Sequence, residues 1–400
     1  MFLDALRRRN PAFVLAAQKL HREGRIPANA YVIDLDAVEA NARATKAEAD
    51  RLGLKIFAMT KQVARSSGFI RAIMEGGIDR AVAVDMACAV ACVRAGLAVG
   101  HLGHLVQIPR AEAALAASDI RPDNWTVFSD AKAEEAAAAS WPGREQPLLA
   151  RVQAEGDTFY RGHEGGFEAG DAVAAARRID ALRGARFAGI TSFPAQLYDH
   201  AKRRIRHTPN LATLRRTADA LRQAGFGEIE INAAGTTSIV TLAALAEAGA
   251  TQVEPGNGLH GTTPLHAVED LPELPAVVYL TEVSHLHGGR AYCFGGGLYI
   301  DPVFPDYDVR ALVSSEPTTE ERSLRSVEIP PPAAIDYYGM IDASGPSAPR
   351  AGDTAVFGFR GQAFVTRAYA VSISGVATGD PTVVSIENCF GQAEPWPALQ

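Results

Sequence analysis

Between residues 54 and 258, short apolar and β-branched runs alternate with Ala-, Leu- and Arg-rich stretches of helical period. The runs are Lys55–Thr60, Arg80–Asp85, Leu102–Ile108, Trp125–Ser129, Leu148–Gln153, Phe187–Phe193, Glu228–Ala233 and Thr251–Glu254. Each is almost continuously apolar, as strands buried on both faces of a parallel sheet are. Helical patterns such as Glu168–Leu182 and Ala201–Ala224 lie between them. Eight strand–helix repeats in this span predict a (β/α)8 TIM barrel over residues 37–272, with a doubly wound open sheet as the competing arrangement. Ahead of it, Tyr31–Leu35 reads as a strand, and Asp36-Ala-Val-Glu39 as a capping-box variant opening a helix over Ala37–Leu52.

The pattern changes after about residue 272. Helical period fades, Pro-rich segments enter, and β-type runs follow at Ala276–Leu280, Ala355–Phe359, Ala363–Ala370 and Val383–Ile386. This predicts an all-β domain over 273–400, with residues 1–36 (a helix and the early strand) associated with it.

Composition narrows the function. A formal charge of −7 without an extended basic cluster argues against binding nucleic acid through phosphate neutralisation. No run of 18 apolar residues suggests a membrane span, and the Arg-rich start lacks the apolar core of a signal peptide, so a cytoplasmic protein is expected. Four scattered cysteines suit neither a disulfide framework nor a paired zinc motif. His285-Leu-His287 has no convincing third ligand, so no metal is expected, and Arg203-Arg204-Ile-Arg206-His207 reads as the solvated face of a helix.

Barrel enzymes carry their chemistry at the C-terminal ends of the strands. The first run ends in Lys61, placed to act as a nucleophilic amine in a partly dry site. After the seventh comes Gly235-Thr236-Thr237-Ser238 and a helix, a combination suited to phosphate. After the eighth comes Glu254-Pro-Gly-Asn257-Gly258-Leu-His260-Gly261. Gly256, Gly258 and Gly261 also spell GxGxxG, but Thr262-Thr-Pro follows in place of a helix, which argues against a dinucleotide fingerprint.

These residues resemble the fold-type III pyridoxal-phosphate enzymes, of which alanine racemase is the best-known kind. The start Met1-Phe-Leu-Asp-Ala-Leu, Tyr31-Val-Ile-Asp-Leu-Asp-Ala-Val and Met59-Thr-Lys61-Gln resemble more narrowly the YhfX-like group. The resemblance implies an alanine-racemase-type barrel followed by a β domain. It implies pyridoxal 5'-phosphate held covalently by Lys61, with Gly235, Thr236, Thr237, Asn257, Gly258 and His260 around the phosphate. His260 stands where alanine racemases have a tyrosine. Arg161, in Thr158-Phe-Tyr-Arg161-Gly, takes the substrate-carboxylate role. Glu254 replaces the racemase arginine at the pyridine nitrogen, as in related amino-acid decarboxylases, and favours a protonated ring, the stronger electron sink.

Racemisation needs a base on each face of the carbanion. Lys61 would serve one. Tyr337, in Ile335-Asp-Tyr337-Tyr338, is the favoured second base, with Tyr299 and Cys389 as competitors. In alanine racemases that tyrosine comes from the partner subunit, so a homodimer with shared sites is expected. The expected activity is α-proton abstraction from an amino acid or related amine, as a racemase or epimerase. The alternatives are a lyase (decarboxylase, dehydratase or aldolase) and a non-catalytic pyridoxal-phosphate-binding protein.

Overall fold

A computed structural model describes residues 1–140, 143–300, 304, 307–345 and 347–396. Contacts divide the chain into two compact units, one of Arg43–Thr60 with Gly77–Leu259, the other of Met1–Ala42, Lys61–Gly76 and His260–Gln400.

The first unit is a parallel barrel. Around the ring stand the split run Lys55–Ile56 and Ala58–Met59, then Arg80–Ala83, Ala98–Leu102, Asn124–Val127, Gln146–Gln153, Ala185–Ser192, Glu230–Ala233 and Gln252–Val253. The split run closes it: Ile56 registers with Val253 and Met59 with Val82. All these pairings are parallel. The expected barrel is therefore observed, and the open-sheet alternative falls.

Three local expectations are corrected. The third strand is Ala98–Leu102, four residues earlier than Leu102–Ile108. Its Gly100 and His101 interrupt the apolar pattern, because a Cβ at Gly100 would sit 2.4 Å from Cε1 of Phe57 and His101 points a polar ring into the barrel. Arg204–His207 is a strand paired with Gln196–Asp199, turned at Arg203 (φ 49°), and not a helix face. The next helix, Pro209–Gln223, starts where Pro209 supplies a ready-made first-turn φ. Asp34, not Asp36, accepts from the N–H of Ala37 at the start of the helix Leu35–Arg51, while Asp36 accepts from the N–H groups of Gly375 and Ala377.

The second unit is built on an antiparallel sheet. Its strands run in the order Arg290–Phe294, Tyr338–Asp342, Leu324–Glu328, Arg310–Ser314, Thr354–Phe357, Val277–His287, Ala30–Asp34, Tyr369–Ser374 and Thr382–Glu387. Val277–His287 also pairs with Arg290–Phe294, so six of these strands close on themselves. Ala30–Asp34 runs antiparallel to Val277–His287 and parallel to Tyr369–Ser374. Of the expected run Ala363–Ala370, residues Ala363–Val365 form a short 3-10 turn and the strand begins at Tyr369. The helices Phe2–Arg9 and Pro11–Arg22 press Leu6, Phe13 and Leu20 onto Val32, Val278, Leu280 and Val356. Each such side chain contributes roughly 1.5–3 kcal/mol on burial.

Candidate active site

Glu254 follows the last barrel strand and is buried with its carboxylate inside the ring. Three neighbours hold it. Oε1 accepts from Nδ2 of Asn232 at 2.8 Å and from Nδ1 of His101 at 2.5 Å, and Nδ1 of His104 lies 3.3 Å from Oε2. The network continues outward on both sides. Nε2 of His101 meets the hydroxyl of Thr126 at 2.5 Å, and the Thr191 hydroxyl donates to Oδ1 of Asn232 at 2.9 Å. Five barrel strands or their ends thus contribute to one polar layer where a barrel usually packs branched aliphatics.

Burial alone would raise the carboxyl pKa of Glu254. The charges of His104 and His101, with the hydrogen bonds from His101 and Asn232, outweigh it and hold the carboxyl below its ordinary value of 4.5. Glu254 is therefore a carboxylate at neutral pH. Its Oε2 accepts no hydrogen bond among the described residues. His101, His104 and Glu254 bring ligand-type atoms within 4.8 Å of one another.

The two glycine-bearing loops are pressed closely against their neighbours. A Cβ on Gly258 would lie 2.4 Å from the carbonyl oxygen of Thr237, and one on Gly235 2.7 Å from the N of Gln196. Gly235 and Thr236 stay half-buried, whereas Thr237, Asn257 and Gly258 are buried. The helix Ile239–Glu247 begins directly after Ser238, whose N–H donates to Oγ1 of Thr241. Arg161 is exposed in the loop that follows Gln146–Gln153.

In the second unit, Lys61 stands two residues beyond Met59 and opens the 3-10 turn Lys61–Val63. Its Nζ lies 5.0 Å from the ring centre of Phe364. The turn leaves through Ala64 (φ 56°) and Arg65 (φ 59°), two left-handed residues without glycine's freedom. They are fixed by Arg65 Nη1, which donates to the Cys389 carbonyl at 2.7 Å, and by Ser66 Oγ, which donates to Glu387 at 2.7 Å.

His260 is wholly buried, and burial pushes its pKa down to about 3, so the ring is neutral. The Thr262 hydroxyl accepts from the N–H of Gly361 at 3.2 Å and meets Nδ1 of His260 at 3.0 Å. A hydroxyl donating to Nδ1 leaves the proton on Nε2, an atom with no hydrogen-bond partner among the described residues.

Tyr337 is 62% exposed, with the Arg367 guanidinium 5.6 Å from its ring centre. The N–H of Tyr299 donates to the Gly297 carbonyl, and the His285 ring stacks on Tyr292 at 4.7 Å. Sequence reasoning missed His101, His104 and Asn232. The signal for the first two was His101-Leu-Gly-His104 at a strand end, legible only once that strand is placed correctly.

Residues 33–264 match the alanine racemase N-terminal domain, and residues 278–383 match the YhfX-like C-terminal domain. The uncharacterized protein YhfX of Escherichia coli K12 is 36% identical over 396 residues, covering 98% of this chain and 99% of that one. The chain belongs to the YhfX-like group of fold-type III pyridoxal-phosphate enzymes.

Solved structures share the fold of this YhfX-like chain at low identity. D-threonine aldolase from Filomicrobium marinum superposes with a TM-score of 0.66 at 20% identity, over 92% of this chain and 96% of its own. Alanine racemase of Clostridium difficile 630, in complex with cycloserine, gives 0.63 at 16% identity, over 91% and 99%. D-threo-3-hydroxyaspartate dehydratase from Delftia sp. HT23 gives 0.65 at 18%, over 89% and 96%. The YhfX-like group thus shares its architecture with racemases and lyases alike. Among the described residues, no helix is long and apolar enough to cross a membrane.

Proposed function

We propose that this chain binds pyridoxal phosphate and removes the α-proton of an amino acid or related amine, as a racemase or epimerase working as a cytoplasmic homodimer. One observation carries the reading: Glu254 is a sequestered carboxylate, held ionised, whose Oε2 accepts no hydrogen bond among the described residues and faces only the charge of His104, at 3.3 Å. That atom suits the proton-bearing ring nitrogen of the coenzyme. The coenzyme, when bound, supplies the electron sink for charge left on Cα.

The protein's own groups divide the remaining work. Lys61 holds the coenzyme covalently and exchanges a proton on one face of Cα. Gly235, Thr236, Thr237, Asn257 and Gly258 receive the phosphate, close backbone packing at both glycines leaving room for no side chain there. The Nε2–H of His260 is suited to donate to the same group. Arg161 binds the α-carboxylate, and Tyr337, brought by the partner copy, serves the opposite face. One base takes the proton and the conjugate acid of the other returns it, inverting the centre.

A second reading, a lyase, is favoured by the same carboxylate. A ring kept protonated stabilises charge on Cα whichever bond breaks, and the aldolase and dehydratase share this architecture. The test is solvent-deuterium incorporation at Cα across D- and L-amino acids and aminophosphonates, with release of CO2, ammonia or aldehyde followed in parallel. Deuterium with scrambled chirality supports the racemase, and fragment release the lyase. Borohydride should trap the coenzyme on Lys61, and a label on any other lysine would overturn the assignment.

A further inference from the structure

Among the described residues, Arg151 is the largest side chain buried to under 2% exposure, and it sits on the barrel strand Gln146–Gln153. It registers with Thr191, and Thr191 registers with Asn232. Partners in register on adjacent strands face the same side of the sheet. Thr191 and Asn232 are hydrogen-bonded to each other inside the ring, so Arg151 faces inward in the layer that carries Glu254. Its guanidinium lies against two rings, 4.5 Å from the centre of Phe128 and 5.6 Å from that of Phe159.

The cation has no ion-pair partner among the described residues. Nη2 donates to the His163 carbonyl, whereas Nε and Nη1 have no hydrogen-bond partner among the described residues. Glu164, an acid whose charge acts on it, accepts from the N–H of Gly162 at 2.6 Å. Burial pulls the guanidinium pKa down to about 10, which still leaves it charged at neutral pH. A buried, uncompensated charge is among the most costly arrangements a fold can hold.

The segment beside it is punctuated by glycines. His163 and Glu164 lie between Gly162 (φ 90°) and the pair Gly165 (φ 121°) and Gly166 (φ 139°), conformations that suit glycine. A Cβ on Gly166 would sit 2.6 Å from the Arg151 carbonyl oxygen. The glycines therefore let this loop pack closely against the strand that carries the arginine.

We propose that Arg151 receives a second anionic group of the substrate, a side-chain carboxylate or phosphonate, so that the enzyme acts on acidic amino acids. The inference rests on the pyridoxal-phosphate reading above, in which Arg161 already serves the α-carboxylate. Aromatic walls strengthen a guanidinium–anion pair by excluding water, and a neutral side chain would leave both buried donors unmatched.

The experiment compares kcat/KM of the holoenzyme for Cα deuterium exchange on aspartate, glutamate and 2-amino-3-phosphonopropionate with that on asparagine, glutamine and alanine, each in both hands. Acidic substrates should be favoured at least about 100-fold. Arg151→Met should abolish that preference while keeping the visible coenzyme band, and Arg151→Lys should restore part of it. Equal or better turnover of the neutral amino acids overturns the proposal. So does an Arg151→Met enzyme that weakens all substrates equally or loses coenzyme, since the arginine would then serve the coenzyme's phenolate oxygen. If Arg151→Met does not fold, the wild-type preference and competitive inhibition by maleate but not maleamide decide the matter. Absence of a coenzyme band and of borohydride label in the wild type would refute the underlying reading instead, and is scored separately.

Discussion

Asn232 donates through Nδ2 to Oε1 of Glu254 at 2.8 Å and to Oε1 of Gln252 at 3.4 Å, tying two neighbouring barrel strands together inside the ring. The first bond turns the other carboxylate oxygen toward its own use. Replacing Glu254 by Gln keeps the size and removes the charge. Turnover should fall roughly 100-fold, about 2.7 kcal/mol at 1.36 kcal/mol per factor of ten. Asn232→Leu should reproduce part of that loss with the protein still folded. Steady-state rates and the visible spectrum of both variants, with thermal melts as the fold control, check this.

The phosphate-loop assignment predicts a specific sensitivity. Gly258→Ala forces a methyl against a backbone carbonyl that cannot rotate away, and Gly235→Ala does the same against Gln196. Each should cost on the order of 1–3 kcal/mol in denaturant unfolding. Each should also weaken pyridoxal-phosphate binding by more than pyridoxal binding. Loss of stability with no phosphate-dependent change would move the phosphate elsewhere.

Two buried histidines set an acid limit. Burial pushes His21 down to about 4 and His260 to about 3, from an ordinary 6.5. Between those values and 6.5 the unfolded chain binds the extra protons, so stability rises with pH across the window. It should be complete above about pH 6.5 and decline progressively toward pH 3. His21→Gln should flatten the upper part of that decline in urea titrations. An unchanged slope would place the acid sensitivity elsewhere.

If the second base comes from a partner copy, inactive subunits should complement each other. Mixed Lys61→Ala and Tyr337→Phe homodimers, unfolded together and refolded, should recover about a quarter of wild-type activity per subunit, since half the dimers are mixed and each has one intact site. No recovery, or an active Tyr337→Phe enzyme, would point to another base.

Prolonged dialysis against EDTA should leave the coenzyme band and turnover unchanged. Loss restored by zinc or manganese would recast His101, His104 and Glu254 as ligands, a geometry their donor atoms permit.

The sequence made the barrel legible because its strands are continuous apolar runs, and the loop glycines legible because Gly-Thr-Thr-Ser and Glu-Pro-Gly-Asn-Gly sit at strand ends. What it concealed has one cause. The interior layer is polar: Gly100 and His101 erase the apolar signature of the third strand, and Asn232 reads as an alternation within Glu230–Ala233. Arg151 was similarly visible as a strand residue, yet only the fold shows a cation without an ion-pair partner among the described residues. Pattern reading assigns buried positions to hydrocarbon, so polar groups placed inward for chemistry are the ones it passes over.

The strand Ala30–Asp34 lies between Val277–His287 and Tyr369–Ser374. A ribosome therefore releases an interior strand of that sheet long before its two neighbours exist. Newly made protein must carry this mainly apolar strand without either sheet neighbour until Val277–His287 has been made, and without the second until Tyr369–Ser374 follows. It also means that a fragment beginning at residue 273 cannot complete its own sheet, whereas a circular permutant starting near there, with the old termini joined, could.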